Sequence, residues 1–339
     1  MTAPGAPAPF TLAPTLLDKV WGGDRLARFN KPVAPGARVG ESWELADMAS
    51  TSASGAGGGA QRSRISSGAL AGLTLHDALE RWGSALLGSA PRSDDGGFPL
   101  LVKFLDAREH LSVQVHPSPA YAAAHPGAKL KTECWYILDA LPGAVIYKGL
   151  KPGVSLAQLR EAIVRGEVPA VMQAVPAVVG DCHNLPSGTV HALGAGVVAA
   201  EVQTPSDTTF RVYDWEKELG RTGREMHVEQ ALACILPDAP PPARRLGERE
   251  TQTELVTTPF FRVFEHRVAG SLRFDAGRCQ VVTVLAGEAV LRWGSADRGG
   301  GGEESLALPL GQTAVIPAAL AAETALTAQN ARVLRTLVG

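Results

Sequence analysis

Residues Leu111 to Pro117 read LSVQVHP, a stretch in which apolar side chains alternate with Ser112, Gln114 and His116. Successive side chains of a β-strand point to opposite faces, so these three polar side chains share one face. In a small β-barrel one face of every strand lines the lumen, where a bulky polar side chain needs a partner. A metal ion is one such partner, and the stretch therefore predicts a β-barrel with a metal-binding interior.

Two further residues extend this candidate metal site. Glu133 lies in KTECWYIL, just before an apolar strand, and His191 follows a tight turn in LPSGTVHALG. Two imidazoles and a carboxylate suit a catalytic zinc ion, which typically keeps three protein ligands and one open position. No compact HExxH motif is present, and a packing or surface role is the more common one for any single histidine.

The segment AAEVQTPSDTTFRVYDWE carries polar residues at odd-numbered positions, namely Glu201, Gln203, Asp207, Thr209 and Arg211. In an unbroken strand they would share a face, although Pro205 predicts a bend or bulge. Charged residues that point inward indicate a site, whereas the alternative is a solvated outer face.

Composition and charge exclude several classes of partner. The chain has 339 residues, 45% of them hydrophobic, and a formal net charge of -2 from 32 basic and 34 acidic residues. This balance argues against nucleic acid or an anionic membrane as the main partner. The first residues, MTAPGAPAPF, lack the pattern of a secretory signal, and the four cysteines form no CxxC pair. We expect a cytoplasmic protein, as a monomer or weak dimer.

The organisation of the chain predicts two antiparallel β-barrels. The proline-rich segment 238–245 (DAPPPARR) is the expected linker between a catalytic domain, 1–237, and a C-terminal β domain, 246–339. Residues 180–187 (GDCHNLPS) resemble residues 311–318 (GQTAVIPA), which favours a duplication. The alternative is that unrelated hairpins share such turns. The second barrel lacks equivalent ligands and is expected to be degenerate and metal-free.

Two segments have helical spacing. Residues 75–87 (LHDALERWGSALL) place apolar residues on one face. Residues 155–164 (SLAQLREAIV) begin with the candidate N-cap Ser155, and Glu161 lies too far along the chain to complete a capping box.

Three blocks carry a resemblance to a known family: residues 98–122 (FPLLVKFLDAREHLSVQVHPSPAYA), 131–149 (KTECWYILDALPGAVIYKG) and 180–216 (GDCHNLPSGTVHALGAGVVAAEVQTPSDTTFRVYDWE). Together they resemble the short-form bacterial type I mannose-6-phosphate isomerases of the cupin superfamily. His183 departs from that family's pattern, because an aromatic residue is usual at its position.

The resemblance implies a mainly β, cupin-type fold with a few helices and one Zn²⁺ per chain. It implies metal ligation by His116, Glu133 and His191, with Gln114 as the fourth ligand in many members. It implies an aldose–ketose isomerase that interconverts mannose 6-phosphate and fructose 6-phosphate. Arg211 corresponds to an active-site arginine of that family, and Lys131 to a lysine considered for proton transfer.

The reaction moves a proton between C1 and C2, so it needs a base, which is either Lys131 or a water on the metal. Arg211 would hold negative charge on the enediolate or on the phosphate. Lys103 is a second candidate cation for the phosphate, and Asp207 is expected to contact substrate. Lys103 could equally extend from an apolar strand to solvent.

Three alternatives stay open at this point. A cupin isomerase could act on another sugar phosphate, such as glucose 6-phosphate. A non-catalytic sugar-binding cupin would need no base, which the presence of Lys131 and Arg211 disfavours. A metal-dependent oxygenase can use two histidines and one carboxylate on the same fold.

Overall fold

The structure is a computed structural model that describes residues 5–52, 56–294 and 303–339. Residues 1–4 lie outside the described residues. The strands, numbered along the chain, are β1 Phe10–Ala13, β2 Thr15–Gly23, β3 Val39–Leu45, β4 Asp47–Met48, β5 Gln61–Arg62, β6 Arg64–Ile65, β7 Leu101–Ala107, β8 Val113–Val115, β9 Glu133–Ala140, β10 Val145–Leu150, β11 Met172–Pro176, β12 Cys182–Leu185, β13 His191–Leu193, β14 Val197–Gln203, β15 Phe210–Tyr213, β16 Gln252–Thr257, β17 Phe261–Arg273, β18 Gln280–Ala286, β19 Ala289–Trp293, β20 Glu304–Leu308, β21 Thr313–Ile316 and β22 Ala325–Val338.

The helices are fewer and short. They are α1 Leu75–Trp82, α2 Ser84–Leu87, α3 Pro119–Ala124, α4 Leu156–Arg165, α5 Val168–Val171, α6 Glu216–Leu219 and α7 Val228–Cys234, with 3₁₀ turns at Arg25–Phe29, Gly68–Leu70 and Ala318–Glu323. Among the described residues, no helix is long and apolar enough to cross a membrane.

Three large antiparallel sheets organise the described residues. Sheet I has the strand order β12-β9-β14-β7-β3-β2, and sheet II has the order β11-β10-β13-β8-β15. Sheet III has the order β16-β17-β22-β18-β21-β1-β6, and the hairpin β19-β20 joins it through β22. The prediction of a mainly β fold built from antiparallel strands with a few helices is confirmed.

Sheets I and II face each other across a shared apolar core. Leu105, Trp135 and Ile137 from sheet I belong to the same buried cluster as Ile146 and Leu193 from sheet II. Burying these side chains favours face-to-face packing, since each Å² of apolar surface removed from water contributes roughly 25 cal/mol. The arrangement directs one face of each sheet into a common interior, as the barrel prediction requires.

The internal repeat corresponds to repeated strand pairing. Strand β12 follows Gly180 (φ +90°) and pairs with β9, while β21 follows Gly311 (φ +79°) and pairs with β18. The positive φ angle explains why glycine occupies both turns. Strand β13 pairs with β10, and strand β14 pairs with β9. In the C-terminal half, the single long strand β22 makes both kinds of contact, because it pairs with β19 and with β18.

The N-terminal strand belongs to the C-terminal sheet. Phe10 pairs with Val315 of β21, and Leu12 pairs with Ile65 of β6. One buried cluster joins Phe10 and Leu12 to Phe104 of sheet I and to apolar residues of sheet III. The division of the chain into two domains at residues 238–245 stays a prediction. Residues from both sides of this segment belong to the same buried cluster.

The helical segments depart from the sequence interpretation in two details. Gly83 (φ +48°) divides residues 75–87 into α1 and α2. Ser155 caps α4 as expected, but the expected absence of a capping box was wrong, because Gln158 completes it. The Gln158 side chain accepts a hydrogen bond from the Ser155 backbone N–H at 2.9 Å. Gln158 occupies the third helical position, where glutamine and glutamate serve equally well.

Candidate active site

Three side chains from both facing sheets converge in the barrel interior. His116 follows β8, His191 opens β13, and Glu133 opens β9. Their exposed fractions are 1%, 1% and 0%. One potential ligand atom from each lies within 4.8 Å of the others. The residues that sequence analysis selected as metal ligands are thus brought together, although they span 75 positions of the chain.

Hydrogen bonds orient both imidazoles. The Nδ1 atom of His116 lies 2.9 Å from the Thr208 carbonyl oxygen, and that of His191 lies 2.8 Å from the Thr189 carbonyl oxygen. A carbonyl oxygen can only accept, so Nδ1 donates in each case and the Nε2 lone pair faces the interior. Burial and the nearby charge of Lys131 lower the pKa of His116 to about 3. His116 therefore stays neutral, the form that binds metals.

Glu133 lies between the two imidazoles. Its Oε2 atom accepts a hydrogen bond from Lys131 and is 3.5 Å from His116 Nε2. Its Oε1 atom is buried without a hydrogen-bond partner among the described residues and is 3.2 Å from His191 Nε2. Burial opposes ionisation of Glu133, but the charge of Lys131 holds its pKa well below the ordinary value. The lone pairs of the Glu133 carboxylate and of the two imidazole Nε2 atoms therefore face one another, and a divalent cation would fit between them.

Gln114 lies beside this cluster. It occupies β8, where it is in register with His191 on one side and Arg211 on the other. Its Nε2 atom is 3.5 Å from His191 Nε2, and its Oε1 atom accepts a hydrogen bond from Ser112 at 3.3 Å. Rotation of the Gln114 side-chain amide exchanges the positions of its oxygen and nitrogen. Gln114 could therefore ligate a metal ion through Oε1 after this rotation alone.

Arg211 lies on β15 of sheet II, in register with Gln114 of β8. Its Nε donates to Ser112 Oγ at 3.1 Å, and its Nη1 donates to the Glu225 carbonyl at 2.8 Å. Burial, together with the charge of Arg224, lowers the pKa of Arg211 to about 10. The guanidinium remains charged at neutral pH and is fixed in one orientation with N–H groups to spare.

Lys103 lies on the opposite sheet between two carboxylates. Its Nζ is 3.0 Å from Glu201 and 3.7 Å from Glu41, and it lies 5.0 Å from the centre of the Trp43 ring. Burial alone would lower the pKa of Lys103, but Glu201 and Glu41 raise it above its ordinary value. Trp135 donates to Glu201 at 2.8 Å, which fixes that carboxylate. Two anions thus balance the charge of Lys103.

A cavity of about 100 Å³ lies beside the cluster of His116, Glu133 and His191. Its walls include Gln114, Lys131, Arg211, Lys103 and Asp207, all selected from the sequence. The Asp207 carboxylate also accepts a hydrogen bond from the Ser52 backbone N–H at 2.5 Å. The cavity is thus rich in charged and polar groups that converge from both sheets.

The sequence interpretation missed several residues of this cavity, which are Lys19, Glu41, Trp43 and Arg224. Glu41 and Trp43 share a face of β3 by simple alternation, and that signal was available. Arg224 lies in the loop between α6 and α7, where no pattern predicts its position. Its Nη1 pairs with Asp214 at 2.9 Å.

His183 and His266 lie outside the candidate metal-binding cluster. Within the described ranges, His116, Glu133 and His191 form the only group of three or more histidine, cysteine or acidic side chains that could hold a metal ion. His183 is buried on β12 and lines a different cavity. His266 is buried on β17 of sheet III.

Comparisons with known proteins agree with this geometry. Residues 10–137 match the family model for the phosphomannose isomerase type I catalytic domain. The chain is 37% identical to a mannose-6-phosphate isomerase of Streptococcus mutans serotype c over 287 residues, covering 83% of this chain and 85% of that protein.

Solved structures show the same architecture. The crystal structure of the Bacillus subtilis mannose 6-phosphate isomerase superposes with a TM-score of 0.81 at 26% identity, covering 97% of this chain and 99% of that one. A mannose 6-phosphate isomerase crystallised with zinc and yttrium shares the fold, with a TM-score of 0.70 at 18% identity and coverage of 97% and 99%. On the strength of the extended sequence match, the chain belongs to the type I phosphomannose isomerase family of aldose–ketose isomerases.

Proposed function

We propose that this protein interconverts mannose 6-phosphate and fructose 6-phosphate with the help of one zinc ion. The observation that carries the proposal is the buried cluster of His116, Glu133 and His191, which adjoins a cavity lined by Lys131 and Arg211. A site with a metal, a base and a fixed cation in one enclosed place has the components that aldose–ketose isomerisation requires.

The donor set supports zinc as the metal. Two imidazole nitrogens and one carboxylate oxygen form a typical catalytic zinc set, with Gln114 available as a further oxygen ligand. The unpartnered Oε1 of Glu133 supports a cation at this point. A bound zinc ion would supply Lewis-acid polarisation of the substrate oxygens at C1 and C2. One ion per chain is expected, since no second cluster of ligands occurs among the described residues.

Lys131 is the proposed base at carbon. Its Nζ lies 3.2 Å from His116 Nε2, and the residue is 4% exposed. In its neutral form the amine removes the proton from C2 of the open-chain aldose. The electron pair of that C–H bond forms the C1–C2 double bond, and the π pair of the C1 carbonyl moves onto O1 to give the enediolate. The hydroxyl proton then passes from O2 to O1, the O2 electron pair forms the C2 carbonyl, and the electron pair of the C1–C2 double bond takes back the proton from the same amine at C1. Because the two carbons are adjacent, one base on one face of the sugar suffices.

Arg211 is the proposed electrostatic partner of the reacting oxygens. Negative charge develops on the substrate oxygen as the C2 proton leaves. The guanidinium is already oriented by Ser112 and Glu225, so it stabilises this charge without having to reorganise.

The phosphate is assigned to Arg224, a cation of the cavity distinct from the Arg211 guanidinium at the reacting oxygens. Arg224 lines the same cavity as Arg211, and its charge contributes to lowering the pKa of Arg211, which indicates that the two guanidinium groups are close. Arg224 pairs with Asp214 through Nη1 at 2.9 Å, and its remaining N–H groups suit a phosphate dianion. Lys103, which lies between Glu201 and Glu41, is better suited to hold sugar hydroxyl groups, as is the carboxylate of Asp207.

A coupled assay of the purified, zinc-loaded protein tests the proposal. We expect fructose 6-phosphate to form from mannose 6-phosphate, with much slower turnover of glucose 6-phosphate and no oxygen consumption. Faster turnover of glucose 6-phosphate would favour the other isomerase. Sugar-phosphate binding without any turnover would favour a binding protein. Cytoplasmic location and a monomeric or weakly dimeric state stay predictions.

A further inference from the structure

A second cavity lies under the proline-rich segment that follows the catalytic region. It has a volume of about 430 Å³ and shares no lining residue with the active-site cavity. Strand β11 is an edge of sheet II and β12 is an edge of sheet I, and residues of both strands line it. Residues 240–243 form another wall. The Cys182 N–H donates to the Arg244 carbonyl at 2.7 Å, and the Arg244 N–H donates to the Cys182 carbonyl at 3.0 Å. These two hydrogen bonds hold the segment that follows residues 240–243 against β12.

A buried lysine with few partners lies in this cavity. Lys148 of β10 is 4% exposed, and its Nζ donates to the Pro241 carbonyl oxygen at 2.5 Å. That contact uses one of the three donors of the ammonium group. No carboxylate among the described residues lies within ion-pair distance of it. A buried ammonium without a counter-ion is costly, and an anion would offset that cost.

His183 provides a second, independent indication of a ligand. The side chain is 3% exposed, and its Nε2 atom is buried without a hydrogen-bond partner among the described residues. Burial, followed by the charge of Lys148, lowers the pKa of His183 to about 4. At neutral pH the ring is therefore uncharged, and the Nε2–H tautomer is a donor that nothing else in the described residues uses.

The remaining charges nearly cancel. Asp181 pairs with Arg245 at 2.7 Å, and both side chains line the cavity. Because Asp181 and Arg245 neutralise each other, Lys148 is the remaining charge among the lining residues. The cavity therefore presents one net positive charge, together with the neutral donor of His183. A metal cation does not fit this set, because a lysine ammonium repels it and only one imidazole is present.

We propose that the cavity under residues 240–243 binds a small anion that carries a phosphate or carboxylate group, held by Lys148 and His183. The volume exceeds that of the anionic group alone, so the ligand has room for a small organic body. The site is separate from the substrate site. It nevertheless lies close to it in the fold, because Lys148 is the register partner of His191 across β10 and β13.

Histidine-selective ¹⁵N NMR of the full-length, zinc-loaded protein tests this assignment. The His183 signal is identified by its loss in His183→Phe. Inorganic phosphate and, separately, malonate are titrated against sodium chloride at matched ionic strength. We expect at least one anion to shift the His183 Nε2 signal in a saturable way, while His116 and His191 report separately on any binding at the active site.

Two variants distinguish this binding from a general salt effect. Lys148→Met should weaken the anion-dependent shift at least about tenfold, since a charge-assisted hydrogen bond is lost. Lys151→Met is the matched control, because Lys151 lies just beyond β10 and bonds instead to the Ala170 carbonyl. It should leave the shift unchanged.

A response to phosphate alone assigns a phosphate site, and a response to both anions assigns a general anion site. The proposal is overturned if neither anion moves the His183 signal, or if Lys151→Met weakens the shift as much as Lys148→Met does. If Lys148→Met does not fold, the titration of the unmodified protein decides the question by itself.

Discussion

Replacing Arg211 with lysine keeps a positive charge beside the candidate metal site but removes the planar guanidinium. The arginine holds its orientation through two directed bonds, from Nε to Ser112 Oγ at 3.1 Å and from Nη1 to the Glu225 carbonyl at 2.8 Å. A lysine ammonium has one nitrogen on a flexible stem and cannot hold both positions while still facing the substrate.

The expected loss follows from those contacts. At least one hydrogen bond from a charged donor is lost, which costs about 1.5–3 kcal/mol. If the interaction acts mainly in the transition state, kcat falls roughly 10- to 100-fold with little change in KM. The zinc content should stay at one ion per chain, because Arg211 is not among the clustered ligand residues.

The measurement combines steady-state turnover of mannose 6-phosphate with elemental analysis of the same sample. Arg221→Lys is the matched control, since Arg221 makes comparable bonds to the His110 carbonyl at 2.6 Å and to Glu109 at 2.8 Å but does not line the active-site cavity. Near-normal turnover in Arg211→Lys, or an equal loss in the control, would refute the proposed role.

Glu133→Ala and His191→Ala should each lose tight zinc and activity together, and full zinc by elemental analysis in either variant would contradict the ligand assignment. Lys103→Met removes the cation that lies between Glu201 and Glu41, leaving Glu201 with only the Trp135 N–H and Glu41 with Lys19 and the Trp43 N–H. We therefore expect a lower melting temperature and a higher KM, whereas an unchanged KM would argue against substrate contact. Ser155→Ala should cost about 1 kcal/mol in the free energy of unfolding, measured by urea titration, through loss of the helix cap. His183→Phe should keep zinc and most of the activity. The pKa of His183 is about 4 in the folded protein and about 6.5 in the unfolded chain, so between these pH values the unfolded chain binds more protons. The free energy of unfolding therefore falls as the pH drops from 6.5 to 4, by up to about 3 kcal/mol. The variant should therefore unfold at lower pH, and an unchanged acid midpoint would contradict that cause.

The convergence of His116, Glu133 and His191 was predictable in part, because strand alternation and residue chemistry both act locally. Gln114 and His116 share a face by simple periodicity, and the blocks around Glu133 and His191 carried the family resemblance. The capping box of α4 was equally local, and only the role of Gln158 was overlooked. Gly83 broke the longer predicted helix because a glycine with positive φ ends a helix readily.

Other features depend on contacts between distant parts of the chain. The pairing of Phe10 with Val315 joins residues 305 positions apart, and no periodicity within β1 indicates its partner. Arg224 reaches the cavity from a loop whose path is set by α6 and α7. The two carboxylates around Lys103 come from β3 and β14, so neutralisation of this lysine appears only when the sheet is assembled.

Zinc reconstitution tests the central claim most directly. The purified protein is stripped of metal with a chelator, checked for retained secondary structure by circular dichroism, and titrated with zinc while mannose 6-phosphate turnover is followed. The account predicts no turnover in the stripped protein and full recovery that saturates at one zinc per chain, with no recovery in Glu133→Ala. Undiminished turnover after complete removal of metal, or a second tight zinc site that survives in Glu133→Ala, would contradict it.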